Sequence, residues 1–412
     1  MHLRLCRHLL CFGSAVSLPA AADPPQWSGF VRAGVADSDA EASWINGGLG
    51  RQVADANHQH ADLEAQSALS WEPAPDWNFV VQALVRGESA GRGRHAGLVE
   101  AYIDRHLSLD DDSQIRLRAG HFFLPTSREA IDPLWQSRYT LTLSALNSWI
   151  AEEIRPIGID ASWRSSDDAA REWEWAVTAF NGNDSAGALL AWRGFSRHGR
   201  LSVLGEVLAL PALPSLADDG AFGQQRDDGS KPFGPDLDGR VGMALRVRYG
   251  DPQRFRLFAT GFDNRGDRAL HRGEYAWRTR FVTIGGEWSP DPRWHVAGEW
   301  MTGRSGMGDR SGPHVDIDFS TAYLLASFAR DEHWRFSVRL DHFAIDDRDH
   351  VPEDNDDRGH AATFAIFRAL GDDWRVGLEF VAGDSAHAAA ASVGARTDTD
   401  GHLLSVELRR NF

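Results

Sequence analysis

The sequence predicts an all-β chain folded as a transmembrane antiparallel β-barrel of 16–18 strands, and three observations carry that prediction. Segments of about ten residues alternate apolar and polar side chains along most of the chain, the pattern of strands with one face in an apolar medium and the other in water. Short and long connections between these segments alternate. The chain is polar overall, with a net charge of −16 and 25% charged residues, yet it holds 16 Trp and 21 Phe. Aromatics in a polar sequence suit a barrel, where lipid-facing and lumen-facing side chains average out and rings gather at the interfaces.

Taken from the N-terminus, MHLRLCRHLLCFGSAVSLPAAADPPQ has the layout of a secretory signal with cleavage after Ala22, so residues 1–22 are read as a signal peptide and 23–412 as one barrel domain. Both cysteines, Cys6 and Cys11, fall inside the signal, leaving an exported chain without a disulfide framework. No apolar run after it is long enough for a membrane helix. The acidic balance argues against a nucleic-acid partner.

Alternating segments lie near 27–36, 60–71, 77–87, 96–109, 113–123, 154–164, 172–181, 186–195, 201–209, 239–250, 254–263, 277–288, 294–302, 315–329, 334–345, 359–369, 374–382 and 400–412. A motif recurs among them: DPRWHVAGEW (291–300), DEHWRFSVRL (331–340) and GDDWRVGLEF (371–380) each place a Trp just past a tight turn, where the apolar face begins. An amphipathic ring at that position fits a membrane interface. Connections after even-numbered segments are short, as in DPQ and GDD, and most of the others are long, as in 37–59, 124–153 and 210–238. That asymmetry belongs to barrels with short turns on one rim and long loops on the other. The final strand, ending on Phe412, is expected to pair with WSGFVRAGV near the start, because a bilayer tolerates no free strand edge.

The signal, the alternation, the terminal Phe and the long third loop together resemble the outer-membrane porins of Gram-negative bacteria. The stretch RLRAGHFFLPTSREAIDPLWQSRYTLTLSALNSWIAEEIRPIGID (116–160) looks like the phosphate-selective-porin-like branch, from which the chain departs in having a single lysine, Lys231. The resemblance implies a third extracellular loop folded inward to narrow the pore, a homotrimer, and contact with outer-membrane lipid and lipopolysaccharide. It implies passive diffusion of ions and small hydrophilic solutes, with no bound cofactor and no chemical step.

On that footing the constriction is assigned to Arg128, Glu129, Asp132, Arg138, Glu152 and Glu153 of loop 124–153, because charges of both signs across a narrow gap select by charge and size. With the apolar faces outward, Arg116, Arg118, Arg246, Arg248, Arg254, Arg256, Arg335, Arg339 and Arg375 line the pore wall. Inward acids, among them Glu100, Asp104, Glu174, Glu206, Glu299, Asp341, Glu379 and Glu407, face them, so the wall is either an anion-attracting patch or a set of neutralised ladders. His58 and His60 have metal-like spacing without a third ligand, and DDRDHVPEDNDDR (346–358) reads as a solvated loop. Neither a nucleophile elbow nor a Ser/His/Asp pattern is present. The rival readings are a channel selective for phosphate, sugars or organic acids, a barrel enzyme, and a soluble exported β-protein.

Overall fold

The structure is a computed structural model that describes residues 24–88, 93–131, 134–151, 154–167, 170–223 and 236–412. The expected signal peptide lies outside the described residues, as do Asp132, Glu152 and Glu153.

Sixteen strands close an antiparallel barrel. They are β1 (Gln26–Ser38), β2 (His60–Ala74), β3 (Trp77–Glu88), β4 (Ala96–Ser108), β5 (Ser113–His121), β6 (Ile157–Ser166), β7 (Glu172–Asn181), β8 (Gly242–Asp251), β9 (Phe255–Asp263), β12 (Arg278–Trp288), β13 (Trp294–Gly308), β14 (His314–Ala329), β15 (Trp334–Asp347), β16 (Asp357–Ala369), β17 (Trp374–His387) and β18 (Asp398–Asn411). Two further short strands, β10 (Leu270–His271) and β11 (Glu274–Tyr275), make a separate ladder in one loop. Each barrel strand pairs with its sequence neighbour, and β18 pairs with β1 from Phe30 opposite Asn411 to Ser38 opposite Leu403. The closure continues to the last residue: Phe412 and Gly29 exchange both backbone N–H···O bonds at 3.0 Å. A Cβ at Gly29 would sit 2.4 Å from the Phe412 ring, so glycine there makes room for the terminal aromatic.

The recurrent turn-then-Trp motif has a local cause. Asp291 Oδ1 accepts from the N–H groups of Arg293 at 2.7 Å and Trp294 at 3.2 Å, and Asp331 Oδ1 does the same for His333 and Trp334 at 2.9 Å each. An aspartate that satisfies the next free donors holds a tight turn closed and launches the strand on its Trp. Exposed Trp27, Trp71, Trp173, Trp288, Trp294 and Trp374 accordingly form a girdle at the short-turn rim, below an exposed band of Val, Leu and Ile.

Two of the eighteen expected strands do not form. Residues 186–195 and 201–209 belong to one long connection, 182–241, between β7 and β8. Within it ALLAWR is a short helix, α1 (Ala188–Arg193), buried at every position and bounded by left-handed glycines, Gly187 at φ 97° and Gly194 at φ 71°. An apolar run with no polar alternation between two glycines can be buried on all sides, which a half-wet strand does not need. Residues 201–209 turn at Leu204–Gly205, where the Glu206 N–H donates to Val203 O at 2.9 Å, and do not join the barrel sheet.

The connection enters the barrel. Thr279 Oγ1 on β12 donates to Ala186 O, Arg86 on β3 donates to Leu201 O, the Leu204 N–H donates to Leu98 O on β4 at 2.9 Å, and Arg51 donates to Phe195 O at 2.6 Å while pairing with Asp357 on β16. These strands lie on opposite sides of the closed ring, so the segment crosses the lumen. The main hydrophobic core is therefore inside the barrel, at its long-loop end, where Trp192, Phe195, Leu213 and Phe222 pack against Val315, Ile317, Phe319, Phe343 and Ile345 of β14 and β15. On the upper part of β14 the apolar face thus points inward and Asp316 and Asp318 point outward, the reverse of the expected orientation there.

Candidate functional site in the lumen

The second cross-lumen element is the connection between β5 and β6. Its backbone is held by carboxylates that the wall presents inward. Glu299 on β13 accepts from the Arg128 N–H at 2.8 Å and from Ser127 Oγ at 2.9 Å, Glu379 on β17 accepts from the N–H groups of Leu141 and Thr142 at 2.6 and 2.9 Å, and Asp341 on β15 accepts from the Ala145 N–H at 3.2 Å. Carboxylates that accept backbone donors satisfy groups a loop would otherwise leave bare.

Arg339 and Glu129 are the centre of this clamp. The Arg339 guanidinium donates to Glu129 at 3.0 Å, Asp341 at 2.9 Å, Thr142 O at 2.6 Å and Leu143 O at 3.1 Å, and both side chains are shut off from solvent. Glu129 also accepts from the Ser144 N–H at 2.9 Å and from Asn147 Nδ2 at 2.6 Å. Burial pushes the Glu129 carboxyl up, and Arg339 beside it pulls the other way. The sequence places Arg339 on the pore wall and Glu129 at the constriction; the structure sets both in a buried joint instead.

The remaining arginines divide by their partners. Arg246 is buried against Asp160, Arg116 and Arg118 both reach Asp104 (Arg118 at 3.0 Å), and Arg375 donates to Glu407 at 3.1 Å. Arg254 is exposed and lies in the turn between β8 and β9 rather than on the wall. Glu206 lies on the plug segment, where it pairs with Arg200 at 2.7 Å. On the short-turn side of β6–β9 and β12–β15 the balance differs. Arg128 pairs with Glu287 at 2.9 Å, Arg164 and Arg248 both reach Glu174 at 3.1 Å, and Arg256 stands near Arg128, Arg164, Glu172 and Glu287. Arg335 stands 5.4 Å over the Tyr139 ring, which stacks at 4.6 Å on His295, with Arg138 and Arg128 in the same electrostatic neighbourhood. Among the described residues, six arginines, Arg128, Arg138, Arg164, Arg248, Arg256 and Arg335, and three glutamates, Glu172, Glu174 and Glu287, thus share one electrostatic neighbourhood.

Sequence reasoning missed Arg164, which the alternation of β6 places opposite its exposed Trp163, and Glu287, which alternates with exposed Trp288. Both follow from the same parity that found Arg248. It also missed the clamp role of Glu299 and Glu379, because a carboxylate that holds a loop is indistinguishable in sequence from one that faces water.

No family model and no curated protein matches this sequence. Solved structures do match over nearly the whole chain. It is similar to OmpT, an outer membrane protein of Vibrio cholerae, over 94% of this chain and 97% of that one, at 8% identity and a TM-score of 0.54. It is similar to the outer membrane channel DcaP of Acinetobacter baumannii over 96% and 99%, at 10% identity and a TM-score of 0.54. An anion-selective porin from Comamonas acidovorans matches over 94% and 99%, at 12% identity and a TM-score of 0.52. The class that these define is the large outer-membrane barrel of the porin type, and the chain has that fold.

Proposed function

We propose that this chain is an outer-membrane porin, exported through a cleaved signal peptide, that passes ions and small hydrophilic solutes passively, without a cofactor or a chemical step. The observation that carries the reading is a closed 16-stranded barrel, too wide for wall side chains alone to fill, whose short-turn half is lined by charge. Loop 124–153 is the narrowing element in this reading, with Arg128 and Arg138 at the passage and the Arg339–Glu129 joint holding it in place. Assembly as a trimer is part of the proposal; a trimer form is known for OmpT of Vibrio cholerae.

The six arginines round three glutamates favour a further reading, a preference for anions, with phosphate among them by the resemblance of 116–160. Recording single channels of the purified chain in a planar bilayer under a salt gradient tests both. Stable steps with a reversal potential on the anion side are expected. A folded, heat-modifiable barrel that gives no steps would overturn the open channel, and a cation-side potential would overturn the anion preference.

A further inference from the structure

The connection 182–241 leaves the wall after Asn181 of β7 and rejoins it at β8, the next strand of the ring, so the plug hangs from one neck at the long-loop end. Three carboxylates meet at that neck. Asp184 stands where the segment enters and Asp236 and Asp238 where it leaves, with one oxygen of each within 4.8 Å of the others.

Backbone contacts fix them in place. Asp184 Oδ2 accepts from the Leu237 N–H, Asp236 Oδ1 from the Gly239 N–H and Asp238 Oδ2 from the Asp267 N–H, each at 2.7 Å. Asn181 Nδ2 reaches Asp236 Oδ2 at 3.3 Å, and the N–H of Trp277, the residue before β12, donates to Asp184 O at 2.6 Å. The turn is thus built to hold the three acids together.

Their charge is poorly answered. The side chains of Asp184 and Asp238 are both shut off from solvent, and Asp184 Oδ1, at 0% exposure, makes no hydrogen bond at all. A bare buried carboxylate oxygen is costly, and like charges beside it add to the cost. Burial, with Asp238 and Asp236 close by, pushes the Asp184 carboxyl up to about 6. Arg240 Nε lies 3.8 Å from Asp238 Oδ2, too far for a hydrogen bond, on a side chain that is mostly exposed. Asp267, a fourth carboxylate at the neck, is engaged by His271 at 3.0 Å. Among the described residues no arginine pairs with Asp184 or Asp236.

An all-oxygen set of three carboxylates, open to water on the side of exposed Asp236, suits a hard divalent cation. Calcium takes roughly six to eight oxygens at about 2.3–2.6 Å, so oxygens up to about 5 Å apart can share one ion without the neck opening. Magnesium keeps more of its water and demands a regular octahedron, which three turn-held aspartates do not supply.

We propose that Asp184, Asp236 and Asp238 hold one calcium ion that fastens the two ends of 182–241 together and so keeps the plug seated in the lumen. The ion supplies the positive charge that the buried acids lack, and Asp184 Oδ1 gains its partner. The site goes beyond the channel reading, since it concerns the seating of the plug and not what passes beside it.

The test uses the full mature chain, folded and heat-modifiable in detergent, stripped with a chelator and returned to chelator-free buffer. Calcium alone is the probe, counted by equilibrium dialysis, and opening of the plug is read as the rate of proteolysis within 186–222. The wild type is expected to bind one ion that Asp184→Asn and Asp236→Asn each weaken by at least about tenfold, as loss of a charged ligand does. With free calcium about tenfold above its dissociation constant, proteolysis of the wild type should slow about tenfold, because an ion that binds only the closed neck suppresses opening in that proportion. Asp236 is exposed, so its variant carries the test where Asp184→Asn gives no folded band. Absence of calcium binding would leave Asp184 a protonated acid and overturn the site. Binding unchanged in Asp236→Asn would place the ion elsewhere, as on 346–358, and overturn it too. Binding without slower proteolysis would overturn the fastening of the plug, and magnesium bound as tightly as calcium would overturn the choice of ion.

Discussion

The two halves of the lumen share one wall and hold opposite contents. In the long-loop half, inward Ile317, Phe319, Phe343 and Ile345 are buried against Trp192 and Phe195 of the plug segment. In the short-turn half, inward positions on the same or neighbouring strands are His295, Arg335, Arg256 and Glu287, which meet the Tyr139 ring and one another's charges rather than a packed core. Period-two alternation determines which residues share a face. It does not determine what they meet there, since a lumen can hold water or a folded segment. Where 182–241 enters, the inside becomes a core; where it does not, charge persists.

The largest effect that would break this contrast is expected at the joint between loop and wall. Arg339→Ala leaves Glu129 and Asp341 buried without their cation, a change on the order of 3–5 kcal/mol. The folded, heat-modifiable band should be lost or its urea midpoint sharply lowered; an unchanged midpoint would mean that the loop is held by something else.

A smaller effect sharpens the contrast through pH. His198, on the plug segment between Trp44 and Trp149, has its imidazole pushed down to about 3 by burial, with Arg200 adding to it. The folded state therefore favours the neutral ring. Stability is full above the ordinary value near 6.5 and is lost as pH falls from there toward 3, by about 2 kcal/mol at pH 5. Acidification from pH 7 to pH 5 should loosen the long-loop half first, read as faster proteolysis within 186–222, and His198→Gln should blunt that response. The same pH dependence in the variant would remove His198 from the role.

The smallest effect on stability, and the one most specific to the short-turn half, is expected from Arg128→Glu. It reverses a charge within the arginine cluster while the loop backbone stays tied to Glu299. The reversal potential should move toward cations with stability lowered by about 1–2 kcal/mol, between the cost at an exposed and at a buried pair, since Arg128 and Glu287 are 12% and 10% exposed. Arg348→Glu on the outer surface is the control that leaves the potential in place.

Much of the fold was legible in the residues. The turn-then-Trp motif marked the starts of β13, β15 and β17, and loop lengths assigned the two rims. The failures cluster in one place. GALLAWRGF was read as a strand because short apolar runs look alike in either state, although its flanking glycines were the available signal for a buried helix. The site was less legible. Arg246, Arg248, Arg339 and Arg375 were all placed inward, but only the register reveals that Arg246 meets Asp160 and that Arg339 meets a loop from the far side of the ring.

By itself, then, the sequence determined a closed barrel of alternating strands, its aromatic rim, its short and long connections and which residues share a face of each strand, because these are local properties of pleat, turn and interface. Only the tertiary structure decided that 182–241 folds into the lumen, which wall arginines are spent on carboxylates and loop carbonyls, and where positive charge is left in surplus. The reason is that such choices depend on which side chains meet across the open space inside the ring, and that is set by strand register and loop packing between residues up to about three hundred positions apart.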